Sequence, residues 1–280
     1  MRKTLTFYLY VGLMLLPLFA GFLYSFLYST GSIGLLSKGF NWNSWTAVFN
    51  DSSVLNTFLD SALVATISIA ISMVLALYLV LRTQLAYTKG MLQTILQIPL
   101  AFPPMIIAFF MFQLLNKGGI LSRIFFKLGL VSNIEAFPTL VNDNYQIGVI
   151  AAMVFLSTPF LIVFFIQKIN ANNLNDFANI SKTLGATHWQ TERKVLLPIL
   201  LKYSWFNIAL YWLFLFGNYE IPLILGNQNP PMISVLISQK LTKFNLNDLP
   251  QAYVLAILYL FVVIAVFSIF YVKQSKVKNR

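Results

Sequence analysis

Few residues in this chain are equipped for chemistry, and they are unevenly placed. Its 280 residues include no cysteine and one histidine, His188. Thiolate nucleophiles, disulfides and thiolate metal sites are excluded, as is a histidine-rich metal centre. Among the eight carboxylates, Asp60 and Glu220 fall at or within long apolar runs. An ionisable side chain is costly there and marks a transport path by default. No paired intramembrane carboxylates and no Ser-Lys arrangement stand out, and no Gly-x-x-x-x-Gly-Lys-Ser/Thr phosphate loop is present. The densest run of polar and helix-punctuating residues lies between Lys168 and Lys202.

That run reads as two short helices. Asn175 or Asp176 is expected to cap the first, which places Phe177, Ile180, Ser181 and Leu184 on one face at spacings of three and four. Gly185 ends it, because glycine tolerates the positive φ of a sharp turn. Thr187 has the hydroxyl to cap a second helix through Trp189 to Leu197, and Pro198 suits the first turn of the next spanning helix. The segment is an elbow, with His188 and Trp189 read as docking surface rather than catalytic groups.

The elements around the elbow are membrane helices. Hydrophobic residues make up 58% of the chain, charged residues 10%, and mean hydropathy is +0.75; a soluble domain carries about 25% charge. A helix crossing the hydrocarbon core needs about 20 apolar residues. Six stretches qualify: Phe7–Leu27, Ser61–Leu81, Met91–Leu115, Ile147–Gln167, Tyr203–Leu225 and Tyr253–Val272. The first follows Met1-Arg2-Lys3 but is longer than a signal-peptide core, and no small-x-small cleavage site follows, so a retained helix is expected. The chain is thus expected to be one all-α membrane domain, residues 1–280, with long connections at about 28–60 and 116–146.

The cations set an orientation. With the N-terminus inside, 13 Lys and Arg fall on inner segments and 6 on outer ones, while two acids lie inside and six outside. Both termini and the 168–202 elbow are then cytoplasmic. The net charge of +11 is a topology signal, and nucleic acid is not an expected partner.

In the fifth span, Gly217 and Pro222 bracket Asn218 and Glu220. A rise of 1.5 Å per residue puts Glu220 about 25 Å from the inner end of its helix, toward the outer mouth. A gate residue on the substrate path and an interfacial glutamate that has reached water both fit. Asp60 opens the second span, where a carboxylate suits the helix N-terminus regardless of function. Asn207 and Gln97 can bond across helices. Pro99, Pro103 and Pro104 predict irregular backbone in the third span.

The elbow also carries a resemblance. Gly185, nine residues, then Val195-x-Leu197-Pro198 resembles the cytoplasmic signature of permease subunits of binding-protein-dependent ABC importers: Glu-Ala-Ala, three residues, Gly, nine residues, an aliphatic, any residue, Leu-Pro. The run Leu184-Gly185-Ala186-Thr187-x-Trp189-Gln190-Thr191 is similar to the polyamine, ferric iron, thiamine and sulfate branch. In hydropathy the likeness runs from about 55 to 273. It implies a type I importer fold in a bacterial inner membrane, with Asn179, Ile180, Ser181, Leu184, Gly185, Ala186, Thr187 and His188 docking on an ATPase. Where the family has Glu-Ala-Ala this chain has Asn179-Ile180-Ser181, which removes one charged contact. The resemblance further implies two ATPase subunits that bind the ATP, a second permease (a heterodimer more than a homodimer) and an extracytoplasmic substrate-binding protein. This chain would bind no cofactor and catalyse nothing. If Glu220 faces the path, a cationic substrate is expected. A self-sufficient secondary transporter or channel is the second reading, and a membrane enzyme the third.

Overall fold

The computed structural model describes residues 2–35, 37, 39–82, 95, 97–243 and 245–278. The start of the third predicted span (91–94 and 96) and the cations Lys38, Lys89 and Arg280 lie outside the described residues.

Among the described residues, six helices are long and apolar enough to cross a membrane, as expected. They are α1 (Arg2–Ser29), α3 (Ser52–Arg82), α4 (Pro104–Leu115) taken together with α5 (Ile120–Lys127) across a short turn, α6 (Ile147–Ala171), α9 (Leu197–Phe216) and α12 (Asp248–Lys278). Shorter helices join them: α2 (Asn43–Asn50), α7 (Leu174–Thr183), α8 (His188–Thr191), α10 (Glu220–Leu225) and α11 (Ile233–Thr242).

The chain divides into two compact units, Met1–Phe58 with Ile233–Val266, and Leu59–Met232 with Phe267–Arg280. In the first, Tyr24 and Tyr28 of α1 pack their rings on Tyr253 of α12. Trp45 of α2 donates its indole N–H to the buried hydroxyl of Ser29 (3.1 Å).

The second unit is held by small residues. Along α3, Ser61, Ala65, Ser68, Ser72 and Ala76 are fully buried, and their spacings of four, three, four and four make one stripe. Apolar side chains gain nothing by leaving lipid for a neighbouring helix, so close backbone approach over small residues supplies the dispersion contacts instead. Ser68 lies against Met153 of α6 (3.8 Å to sulfur). Trp212 of α9 donates to Thr66 of α3 (2.9 Å).

The third span, expected at Met91–Leu115, is found at Pro104–Lys127, and three other differences from expectation bear on the candidate site. α3 begins at Ser52 rather than Ser61, so Asp60 sits inside the helix and the N-terminal dipole does not account for it. The predicted fifth span ends at Phe216, and Glu220 belongs to a separate short helix. The elbow's second helix runs without interruption into the fifth span, His188–Phe216. The prolines of the third span do break it: Pro99 lies in a 3-10 turn (Ile98–Ala101), and Pro103 and Pro104 start α4.

Candidate functional site

The elbow is anchored from beneath. Leu174 at the start of α7 and Leu200 of α9 join Ala76, Val80, Ile162, Phe165 and Ile169 in a buried apolar cluster. Both leucines are almost fully buried, and the dispersion contacts of two such closely packed side chains fasten both ends of the elbow to the bundle.

The entry to α7 differs from the expected cap. Asn173 takes a left-handed conformation (φ 49°), and neither Asn175 nor Asp176 caps the helix; both lie inside it. Asn172 closes the preceding helix, its amide donating to the Lys168 carbonyl (2.8 Å). Asparagine adopts the left-handed region more readily than most residues, which suits it to this corner.

The exit from α7 is set by Gly185, at φ +83°. Its N–H donates to the Lys182 carbonyl (2.9 Å) and that of Ala186 to the Ser181 carbonyl (3.1 Å). This is the Schellman pattern, which satisfies the last carbonyls of a helix and favours glycine. A Cβ here would meet nothing within 4 Å, so the requirement is conformational rather than steric. Thr187 then caps α8 as expected. Its hydroxyl accepts from the Gln190 N–H (3.3 Å), and the Gln190 side chain accepts from the Thr187 N–H (2.9 Å), a reciprocal capping box.

Ser181 and Thr191 share a hydroxyl hydrogen bond of 2.8 Å across the bend, fixing the two helices against each other. Glu192 follows, 4% exposed. His188 Nδ1 lies 3.1 Å from its Oε1, yet that oxygen has no hydrogen-bond partner, so the imidazole is close but misaligned. Residues Glu192–Leu196 form a π-turn. Pro198, two residues beyond, has no N–H for the helical ladder, and its ring crowds the preceding turn. A widened turn keeps the helix continuous through it.

The outward side of α7 is apolar. Phe177, Ile180 and Leu184 are 49%, 58% and 82% exposed and lie on one face, as their spacing predicts. Ser181, expected on that face, turns instead toward Thr191. Trp189 is exposed as well, with the Arg82 guanidinium 5.2 Å from its ring centre. Asn179, Gly185, Thr187 and His188 are exposed around the ridge, and Ala186 is half-buried. Behind it, a cleft of about 230 Å³ is lined by Asn175, Asn179, Lys182, His188 and Glu192 with apolar neighbours.

The other candidates are more scattered. Past α9 the chain breaks at Gly217, and the buried Asn218 accepts the Ile221 N–H (3.0 Å), capping α10. Glu220 is the first residue of α10 and half-buried. α10 packs on α4 and α6. Its end is tied to the chain before α6: Asn142 N–H donates to the Leu225 carbonyl (2.8 Å), and Asn227 N–H to Gln146 (3.1 Å). Asp60 remains half-buried on α3. Asn207 lines an aromatic recess with Phe160, Phe164, Tyr211 and Phe214. Sequence reasoning missed the anchors Leu174 and Leu200 and the buried Glu192. Leu174 shares a helical face with Ala178, a pattern that could have found it.

Residues 82–276 match the model of the family described as "Binding-protein-dependent transport system inner membrane component". The chain belongs to that family. As such a component it is a multi-pass inner-membrane permease subunit of an ABC importer, as the elbow signature implied. It is 26% identical to the probable sulfate transport system permease protein of Zygnema circumcarinatum, over 98% of this chain and 93% of that one. Its counterpart in Marchantia polymorpha is 30% identical over 68% of this chain and 62% of its own length. The permease fold recurs in the crystal structure of a bacterial ABC transporter involved in the import of alginate. There the TM-score is 0.72 at 16% identity, covering 98% of each chain. The alginate transporter in complex with its pentasaccharide-bound periplasmic protein gives 0.69 at 16% identity, over 96% of this chain and 95% of that one.

Proposed function

We propose that this permease forms the translocation path of an oxyanion importer with a second permease subunit, and is driven by a separate ATPase docked on the 168–202 elbow. The observation that carries the coupling is the ridge of Phe177, Ile180 and Leu184, exposed on a helix anchored by Leu174 and locked by Ser181–Thr191. A rigid apolar ridge of this kind is an interaction surface. The excess of Lys and Arg on the segments around it supports a position for it, with both termini, on the cytoplasmic side, where ATP is. The chain lacks a phosphate loop of its own, so ATP would be bound by two partner ATPases whose closure moves the elbows and opens the path to alternating sides. A binding protein would deliver substrate at the opposite face.

The substrate reading shifts from the cation that Glu220 suggested. The relative aligned over nearly the whole chain is a sulfate permease, and sulfate is a dianion. A carboxylate lining the path would repel it, so Glu220 acts as a charge at the first turn of α10, where it complements the helix dipole. Asn218 holds helix geometry rather than substrate under the same reading.

The test is uptake into membrane vesicles containing this chain, its ATPase and its binding protein, with labelled sulfate and labelled spermidine compared. ATP-dependent sulfate uptake supports the proposal. Spermidine uptake would restore the cationic reading, and uptake without ATP would remove the importer mechanism.

A further inference from the structure

The cleft behind the ridge holds a carboxylate that an apolar docking surface leaves unused. Glu192 opens the π-turn and is 4% exposed, with no hydrogen-bond partner on Oε1. A buried carboxylate is costly unless it is both paired and hydrogen-bonded. Among the described residues its one ion-pair contact is His188 Nδ1, at 3.1 Å but misaligned. That ring is a full cation only when protonated.

The lining of the cleft says what would complete the pair. Lys182 also borders it but is exposed, so its ammonium can stay in water. The carboxylate is the group that burial leaves in want of a partner. Val80 and Ile169 add an apolar lining suited to an aliphatic stem. At about 230 Å³ the cleft falls below small-molecule sites, which run from roughly 300 to 1,000 Å³, and it suits one long side chain. Asn179, which stands where the family signature has glutamate, lines the same cleft. The elbow thus keeps a carboxylate at this place, supplied from beyond the bend.

α7 presents both surfaces: Asn179 lines the cleft, and the next residue, Ile180, stands exposed on the ridge. A protein seated on the ridge therefore borders the cleft. We infer that the cleft receives an arginine side chain of the docked ATPase, its guanidinium on the Glu192 carboxylate and its stem along Val80 and Ile169. This rests on the elbow being the ATPase-docking surface. A guanidinium fits better than an ammonium. It is more weakly hydrated, so its burial costs less, and its planar fork can donate to the carboxylate and to the Asn179 amide oxygen together.

The experiment measures dissociation of the purified ATPase from the full-length permease in detergent by biolayer interferometry. It compares wild type, Glu192→Gln and the ridge variant Phe177→Ser, Ile180→Ser, Leu184→Ser. Glutamine keeps the shape and removes a buried unpaired charge, so Glu192→Gln should unfold at or above the wild-type temperature. Its ATPase should leave about 30-fold faster, the scale for removing one partner of a buried charge pair. Phenylglyoxal, which modifies arginine, should spare one ATPase arginine in the wild-type complex and modify it in the Glu192→Gln complex, read by peptide mass spectrometry. Asn179→Arg, at an exposed position, offers Glu192 a guanidinium from within the permease and should expose the same ATPase arginine; it serves if Glu192→Gln fails to fold. Protection of that arginine in a folded complex of either variant would overturn the inference. Wild-type dissociation from Glu192→Gln, with binding lost in the ridge variant, would also overturn it and leave the elbow as the docking surface. Undiminished binding to the ridge variant as well would remove that surface and the inference with it.

Discussion

Two breaks flank the helix that runs from His188 to Phe216, and they are built on different principles. At one end Gly185 is held at φ +83° with both Schellman bonds made, and Thr187 recaps the chain two residues later. At the other, Gly217 has φ −90°, a conformation open to any residue, and the turn depends on Asn218 capping α10. The first break is fixed by the backbone and presents an apolar ridge. The second has the buried Asn218 side chain at its turn and packs α10 inward on α4 and α6. A surface meant to transmit force needs the first kind of construction. A segment in a packed interior, where neighbours already restrict it, can rely on the second.

The largest effect that would break this comparison is loss of the elbow's anchor. Leu174→Ala should cost about 2–5 kcal/mol, the range for truncating a fully buried leucine, read as a fall in thermal unfolding temperature in detergent. A loss under 1 kcal/mol would mean that the elbow is not fastened through the cluster around Leu200. Next comes the contrast of the two glycines. Gly185→Ala should cost roughly 1–2 kcal/mol for its left-handed backbone, whereas Gly217→Ala should stay within about 0.5 kcal/mol. Equal costs would erase the distinction between the breaks.

Smaller again is the capping box. Thr187→Ala should cost about 1 kcal/mol and Thr187→Ser much less, because serine restores the hydroxyl; chemical denaturation of both variants separates a cap from a packing role. Least of all, Glu220→Gln should change stability by about 0.3–1 kcal/mol, as expected for a charge at a helix N-terminus, and should leave sulfate uptake within two-fold of wild type. A collapse of uptake would put Glu220 on the path after all.

The sequence was most legible where structure is local. Hydropathy found the six spanning helices, and Gly185 and Thr187 announced the elbow's turn and cap because both act through the nearest residues. The helix start was misread at Asn175 and Asp176: their side chains are good caps, but Asn173 turned the corner first by accepting a left-handed backbone. The fifth span was misread at both ends for opposite reasons. Pro198 suggested a boundary that the π-turn absorbs. The apolar run on both sides of Gly217 suggested continuity that Asn218 interrupts, since hydropathy does not register a side-chain cap. Asp60 was placed at a helix start because Asn56 and Asp60 dilute the hydropathy of the first turns of α3, yet those turns are helical from Ser52. The spacing of Leu174 and Ala178 marks a shared face, but the anchoring itself is made with residues of α3 and α6 that are distant in sequence.

The most direct measurement is co-purification of the ATPase with the variant Phe177→Ser, Ile180→Ser, Leu184→Ser, alongside its thermal unfolding. All three side chains are exposed, so the account predicts an unfolding temperature close to that of the wild type and loss of the ATPase. A folded variant that still carried its ATPase in full would contradict the elbow as the coupling surface.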